Sequence, residues 1–396
     1  MPQLDTPTLR AIWCRAHGLD GPPAANLRTL LSRIGWVRTL GGVDAYLTMR
    51  ARSPHLTADA VHAAMASGDI AVVPAARGCI YVVSGDDAPL ARALARDLAT
   101  RRMVRERAKA GLPDDEVARL SAAILERLSS GPATTAELRA DLPEGLVRSL
   151  GPAGKKVGLS SNLPPTVRVL EFEGRIIRRS IDDRLVHEKY RWHLAPHDTP
   201  SIDPRPAAER HADLLRRVLG WSGPCTVDAL AAFTGLGKRV VRTALAGSDI
   251  LWHDTPTGPA AALPATSLTP EPTGNAHFLA GLDTLFAMHG GPPTFIQPAD
   301  ADRPCAPWGR QKGRTWGTVG HALSRAIVVD GTIAGAWEAD PDTRSVVVTP
   351  FSPGLPEHIA QQAHHLASFI WDGAGTGYAF SIDSLDRLRA RRDLLG

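Results

Sequence analysis

The pair Gly131-Pro132 recurs as Gly223-Pro224, each followed by a Thr and then an acidic residue, in "SSGPATTAEL" and "GWSGPCTVDAL". No helix runs through Gly-Pro, so each copy has to end one helix and begin another. In the first copy an apolar stripe at Ala123, Ile124, Leu125 and Leu128 stops at the pair. Thr134 then serves as N-cap, with Glu137 three residues on completing a capping box. The second copy reads likewise, with "HADLLRRVLGWSG" as first helix, Thr226 as cap, Asp228 in the first turn and "VDALAAFTG" as second helix.

Each corner is followed by a segment expected to be a third helix, "EGLVRSL" in one and "GKRVVRTALAG" in the other. Expected strands come next, in "TVRVLEFEGRIIRRS" and "DILWHD". Three short helices closed by a hairpin is the layout of a winged helix, whose third helix enters a DNA major groove or, in other proteins, meets a protein partner. Lys238, Arg239 and Arg242 put a basic side on the second copy's third helix.

The N-terminal segment reads as a third, less regular version. "LDTPTLRAIWCRAHGL", "LRTLLSRIGWV" and "TADAVHAAMASG" are helical, and "DIAVVPAARGCIYVV" is two strands around a turn at Pro74–Arg77. The Pro/Thr/Gly-rich stretch Asp254–Asn275 has no period and reads as a connector. Beyond it, "SRAIVVDGTIAGAWEADPDTRSVVVTPF" alternates through strands turned at Asp330-Gly331, with helices "LPEHIAQQAHHLASFI" and "SIDSLDRLRARRDLL" after them. The expected fold is α+β: winged-helix units over 1–112, 113–200 and 201–262, then a small β-barrel-like domain over 263–396. A chain of 396 residues exceeds what one core normally serves, which fits several units.

Charge points to a polyanion by its distribution more than by its sum of +4. Within 91–110 seven Arg/Lys, among them Arg101 and Arg102, face two acids. Within 303–325 five basic residues, including Arg310, Lys312 and Arg314, stand with Trp308 and Trp316 and no acid. Cations among tryptophans suit backbone contact and base stacking, while the alternative is that both tryptophans plug the barrel. No apolar run approaches the ~20 residues that span a bilayer. The start lacks a basic-then-apolar leader, so a cytoplasmic protein close to the nucleoid is expected. Four scattered cysteines read as packing residues, and the histidines show no metal-ligand spacing such as HExxH. Phosphate-cradling Gly-rich loops are missing from the sequence, so neither a metal, a nucleotide nor any other cofactor is expected.

The phrases "AYLTMRARSPHLTADAVHAAM", "ARGCIYVVSGDDA", the two Gly-Pro corners, "LAGLDTLFAMHG" and "VVDGTIAGAWE", in that order, resemble the winged-helix DNA glycosylases that act on alkylated and crosslinked bases. The resemblance runs from about Leu9 to about Phe380. It implies a cradle for duplex DNA, cofactor-free hydrolysis of an N-glycosidic bond to leave an abasic site, and work in repair, self-resistance or defence against phage. It also implies a Gln-x-Gln or Gln-x-Asp motif eight and six residues before Tyr46, where this chain has Arg38 and Leu40. No glutamine lies between Gln3 and Gln297.

Cleavage passes through an oxocarbenium-like sugar, so a carboxylate or oriented amide must stabilise positive charge and place water. Asp44, six residues past Arg38, is the candidate replacement; its other reading is a turn or cap residue after Gly41-Gly42. Arg38 either holds a phosphate or tunes Asp44. Tyr46 either packs or stacks on a displaced base, and Arg77 joins the DNA-facing set with Arg101, Arg102, Lys238, Arg239, Arg242, Arg310, Lys312, Arg314 and Trp316. Asp283 in "GLDTLF" matches a family aspartate that is either functional or structural. The expected partner is double-stranded DNA bearing a bulky modified base, met by a monomer. The competing expectation is a DNA-binding protein that has lost the chemistry, and a protein-interaction scaffold comes third.

Overall fold

The computed structural model describes residues 3–196, 201–247, 249–269, 271–309, 313–352, 354–375 and 382–396, without the side chain of Arg101. Helix α1 (Thr6–Ala16) starts at Asp5, whose carboxylate accepts from the Thr8 N–H, and α2 (Leu27–Ile34) starts at Asn26 in the same way. Strand β1 (Val37–Arg38) leads through Gly41-Gly42 to α3 (Asp44–Arg50) and α4 (Ala58–Ser67). Then come β2 (Ile70–Pro74), β3 (Ile80–Ser84) and the long α5 (Ala88–Lys109).

The second stretch holds α6 (Asp114–Ser129), β4 (Ala133–Thr134), α7 (Thr135–Asp141), α8 (Gly151–Lys156), α9 (Leu163–Phe172), β5 (Ile176–Ser180) and β6 (Tyr190–Leu194). The capping box is present: the Glu137 N–H donates to Thr134 Oγ1 at 3.1 Å, and the Thr134 N–H to Glu137 Oε2 at 2.7 Å. Two expectations are corrected here. "EGLVRSL" is turn rather than helix, and "TVRVLEF" is helix rather than strand. Its β-branched residues suggest a strand, but Leu163, Val167 and Leu170 fall on one helical face and bury it against Leu120 and Ile124.

The third stretch comprises α10 (Ala207–Ser222), β7 (Cys225–Thr226), α11 (Val227–Thr234), α12 (Lys238–Ala246), β8 (Leu251–His253) and β9 (Ala260–Ala262). Strand β9 lies inside the expected connector. Its three alanines carry little strand preference and are held by pairing with both β7 and β8. Each stretch thus repeats one sheet plan, a two-residue strand laid on a later hairpin: β1-β3-β2, β4-β6-β5 and β7-β9-β8, all antiparallel.

The last stretch contains β10 (Ala276–Phe278), α13 (Thr284–Met288), β11 (Arg325–Val329), β12 (Thr332–Asp340), β13 (Ser345–Pro350), α14 (Ile359–Ser368) and α15 (Leu385–Arg392). The sheet is an open half-barrel of order β10-β11-β12-β13. Asp330 and Gly331 both have positive φ, 43° and 75°, the tight hairpin turn their sequence signals. The core around Leu30, Val61 and Val82 runs on into this sheet through Ile327 and Trp337, and onto Phe369 just after α14. The first and last stretches of the chain therefore pack as one body. Among the described residues no helix is long and apolar enough to cross a membrane.

Candidate active site

Three distant segments converge at the end of β1. Arg38 projects from β1, Arg77 from the turn between β2 and β3, and Trp308 with His321 from the loop before β11. That loop is cross-linked by bridges between Pro304 and Thr315 and between Pro307 and Ala322, and the Trp308 N–H donates to the His321 carbonyl at 2.8 Å. The Arg38 guanidinium carbon lies 5.6 Å from the centre of the Trp308 ring, a cation–π contact. Its Nη2 reaches Cys79 Sγ at 4.0 Å, and its Nε is buried with no hydrogen-bond partner among the described residues.

Arg77 sits at φ 56°, an uncommon backbone state for a side-chain-bearing residue, with its side chain exposed. Burial first, then Arg77 and Arg38, hold the His321 imidazole below its usual range. Both effects disfavour the protonated imidazole. Among the described residues no carboxylate counters them. Arg102, paired with Glu106 at 2.6 Å, also lies within electrostatic reach of Cys79. His321 further lines a cavity of about 510 Å³ with Asp228, Thr255, Phe286 and His289. Cys79 and His321 carried no sequence signal, since neither belongs to a spaced motif.

Asp44 is elsewhere. It is 7% exposed, and its Oδ1 accepts from Arg325 Nη2 at 2.7 Å and Nε at 3.3 Å. Arg325 also donates to Asp383 Oδ1 at 2.6 Å and to Glu338 Oε1 at 2.5 Å, and Arg391 donates to the same Asp383 and Glu338. Three carboxylates thus meet two guanidiniums. Burial raises the Asp44 pKa more than Arg325 lowers it, and Asp383 adds to the rise. At Asp383 burial is overcome by Arg325, Arg391 and the Val43 N–H, and the pKa falls. The surplus negative charge therefore weighs on Asp44. Expected as a carboxylate free to meet a sugar, Asp44 is corrected to a member of a buried ionic network that ties α3 to β11, β12 and α15.

Of the two readings of Tyr46, the stacking one finds no exposed ring. The residue is fully buried, with its hydroxyl 2.9 Å from His62 Nε2 and accepting from the Leu185 N–H at 3.0 Å. Trp316 is buried against Phe351 and offers no face to a base. Asp283 is structural: it takes two 2.7 Å bonds from Arg52 and caps α13 through the Leu285 N–H.

Arg239 and Arg242 are exposed on α12 and Arg314 on its loop, while Lys238 is held by Asp228 at 2.7 Å. Arg310, Lys312 and the Arg101 side chain lie outside the described residues. Among the described residues no group of three or more His, Cys, Asp or Glu is arranged to hold a metal ion.

Arg38 over Trp308, with Arg77 and the cavity-lining His321 nearby, stands among repeated helix-and-hairpin units. The profile of the AlkZ-like DNA glycosylases matches residues 42–369, and the chain belongs to that family. Its fold is similar to that of the Streptomyces sahachiroi DNA glycosylase AlkZ, with a TM-score of 0.70 over 95% of this chain and 99% of that one, at 16% identity. Among curated proteins none matches the sequence significantly.

Proposed function

We propose that this protein is a monofunctional DNA glycosylase that hydrolyses the bond between deoxyribose and a bulky modified base, leaving an abasic site. The observation that carries the reading is the family match over 42–369, together with the cationic, tryptophan-faced cluster of Arg38, Arg77, Trp308 and His321 beside a cavity. In this reading the three helix-and-hairpin units act as winged helices, with Arg239 and Arg242 of α12 and Arg314 meeting phosphates. The protein acts as a monomer in the cytoplasm, near the nucleoid, in repair, toxin self-resistance or defence against phage DNA.

The motif positions hold Arg38 and Leu40, and Asp44 is committed to Arg325. The ordinary device, an amide or acid stabilising the sugar cation, is thus not available from this segment. What the segment supplies is donors for a departing base. Loss of one oriented electrostatic group typically costs about 10²–10³ in rate, so the same observation favours a second reading, a DNA-binding family member without chemistry.

Incubation of the purified protein with duplexes carrying alkylated, crosslinked or glucosylated hydroxymethylated bases, followed by alkaline cleavage, separates the two. Strand breaks at the modified base support the glycosylase. Binding without breaks on every duplex supports the alternative.

A further inference from the structure

We propose that the cluster of Arg38, Arg77, Trp308 and His321 selects an uncharged modified base and rejects a cationic one, because its donors stabilise the departing base rather than the sugar. This deepens the glycosylase reading and rests on it for the chemistry, though not for the binding preference.

The charge inventory is the starting point. Two guanidiniums come from separate hairpin strands and turns, and neither has a carboxylate partner among the described residues. Unpaired guanidiniums drawn together raise the local potential, and a third positive charge brought between them is repelled. An N-alkylated purine carries such a charge before its bond breaks. A neutral base carries none. When its C1′–N bond breaks, the electron pair leaves with the base, so negative charge grows beside Arg38 and Arg77. Water then adds its oxygen to C1′ and releases one proton to solvent. The base takes up one proton, and the products are an abasic sugar and a neutral free base.

Geometry agrees with this assignment. Arg38 Nε is buried without a partner, so a donor that ordinarily costs free energy to leave unmade is held ready for an acceptor. The half-buried Trp308 ring provides a flat apolar face on which any base stacks, whatever its sequence. His321 lines the cavity, where burial and the two guanidiniums disfavour its charged form and its imidazole can donate or accept. The nearest candidate acid in sequence, Asp44, spends its Oδ1 on Arg325, and Asp228, which lines the cavity with His321, is engaged by Lys238 at 2.7 Å.

The test compares two duplexes that differ in charge and hardly in shape. One contains N7-methylguanine on a fluorine-stabilised sugar, and the other contains its uncharged deaza analogue bearing the same methyl group. Affinities are measured for the full chain and for the Arg38→Gln and Arg77→Gln variants, with thermal melting to check that each is folded. The wild type is expected to hold the uncharged duplex about tenfold more tightly, and either variant to narrow the ratio to about twofold. Trp308→Ala should weaken both duplexes alike. Equal or tighter binding of the cationic duplex by the wild type overturns the proposal, as does a preference that survives Arg38→Gln in a folded variant. If the preference holds while no duplex of any kind yields abasic sites, the cluster's selectivity stands and the glycosylase reading fails. If abasic sites form and the preference is missing, the reverse holds.

Discussion

Asp44 and Arg325 stand 281 residues apart in the chain and meet at 2.7 Å, in a network where three carboxylates share two guanidiniums. Breaking a buried pair from one side leaves an uncompensated charge, a loss of about 3–5 kcal/mol. Arg325→Met should therefore unfold the protein at markedly lower urea, since it strands Asp44 and leaves Asp383 and Glu338 to Arg391 alone. A denaturation midpoint within error of wild type would contradict the network's role.

The two aspartates should behave differently. Asp44 carries the surplus charge and a raised pKa, so Asp44→Asn brings the network to two acids and two bases and should leave stability at pH 8 equal to or above wild type. Asp383→Asn weakens the partner of Arg325, Arg391 and the Val43 N–H at once and should cost several kcal/mol. Paired urea titrations check the contrast. A group whose folded pKa is raised stabilises most below its unfolded value and loses that contribution as pH climbs through the folded one. Wild type should accordingly gain relative to Asp44→Asn as the buffer is taken from pH 8 toward pH 4.

His17 and His289 predict the acid limb. Their Nε2 atoms lie 3.2 Å apart in the core, and burial first, then Arg52 at His17 and His17 at His289, hold both pKa values well below 6.5. Neutral in the folded state, they take up protons on unfolding once pH drops below about 6.5, so stability falls as the solution is acidified. Two protons correspond to about 2.7 kcal/mol per pH unit. His62, His187, His193, His211 and His321 are also depressed and add in the same sense. His17→Gln should flatten the slope by about one proton, read from unfolding free energies between pH 7 and pH 5.

Gly42 adopts φ +72°, and a methyl group there would lie 2.4 Å from Asp383 Oδ2. Gly42→Ala should cost about 1–3 kcal/mol from strain alone, and more if the bond from Val43 to Asp383 is lost. Thermal melting gives the answer directly.

Arg239 and Arg242 are exposed and make no ion pair among the described residues, whereas Lys238 is engaged by Asp228. Alanine at Arg239 or Arg242 should each reduce the slope of log affinity against log salt by about 0.9, and Lys238→Ala by less. Unaltered slopes would remove α12 from the DNA-facing surface.

Local signals made much of this molecule readable. Thr134 and Glu137 cap a helix through neighbours three residues apart, and Asp330-Gly331 turns a hairpin through its own backbone. Helix α9 was legible only as an apolar run, because Val167 and Val169 favour a strand until the partners of Leu163 and Leu170 are known. The site was harder to read. Arg38 finds Trp308, His17 finds His289 and Asp44 finds Arg325 only when segments hundreds of residues apart fold together, and no spacing in the sequence encodes those meetings. Asp44 has the right residue type at the right distance from Arg38, and what the sequence withholds is its partner.

The bond from the Val43 N–H to Asp383 spans 340 residues. During synthesis the loop beside Arg38 emerges from the ribosome long before the aspartate that pins it. Its final shape waits for translation to pass Asp383, because a contact of such sequence separation forms only after a long stretch of chain has closed on itself.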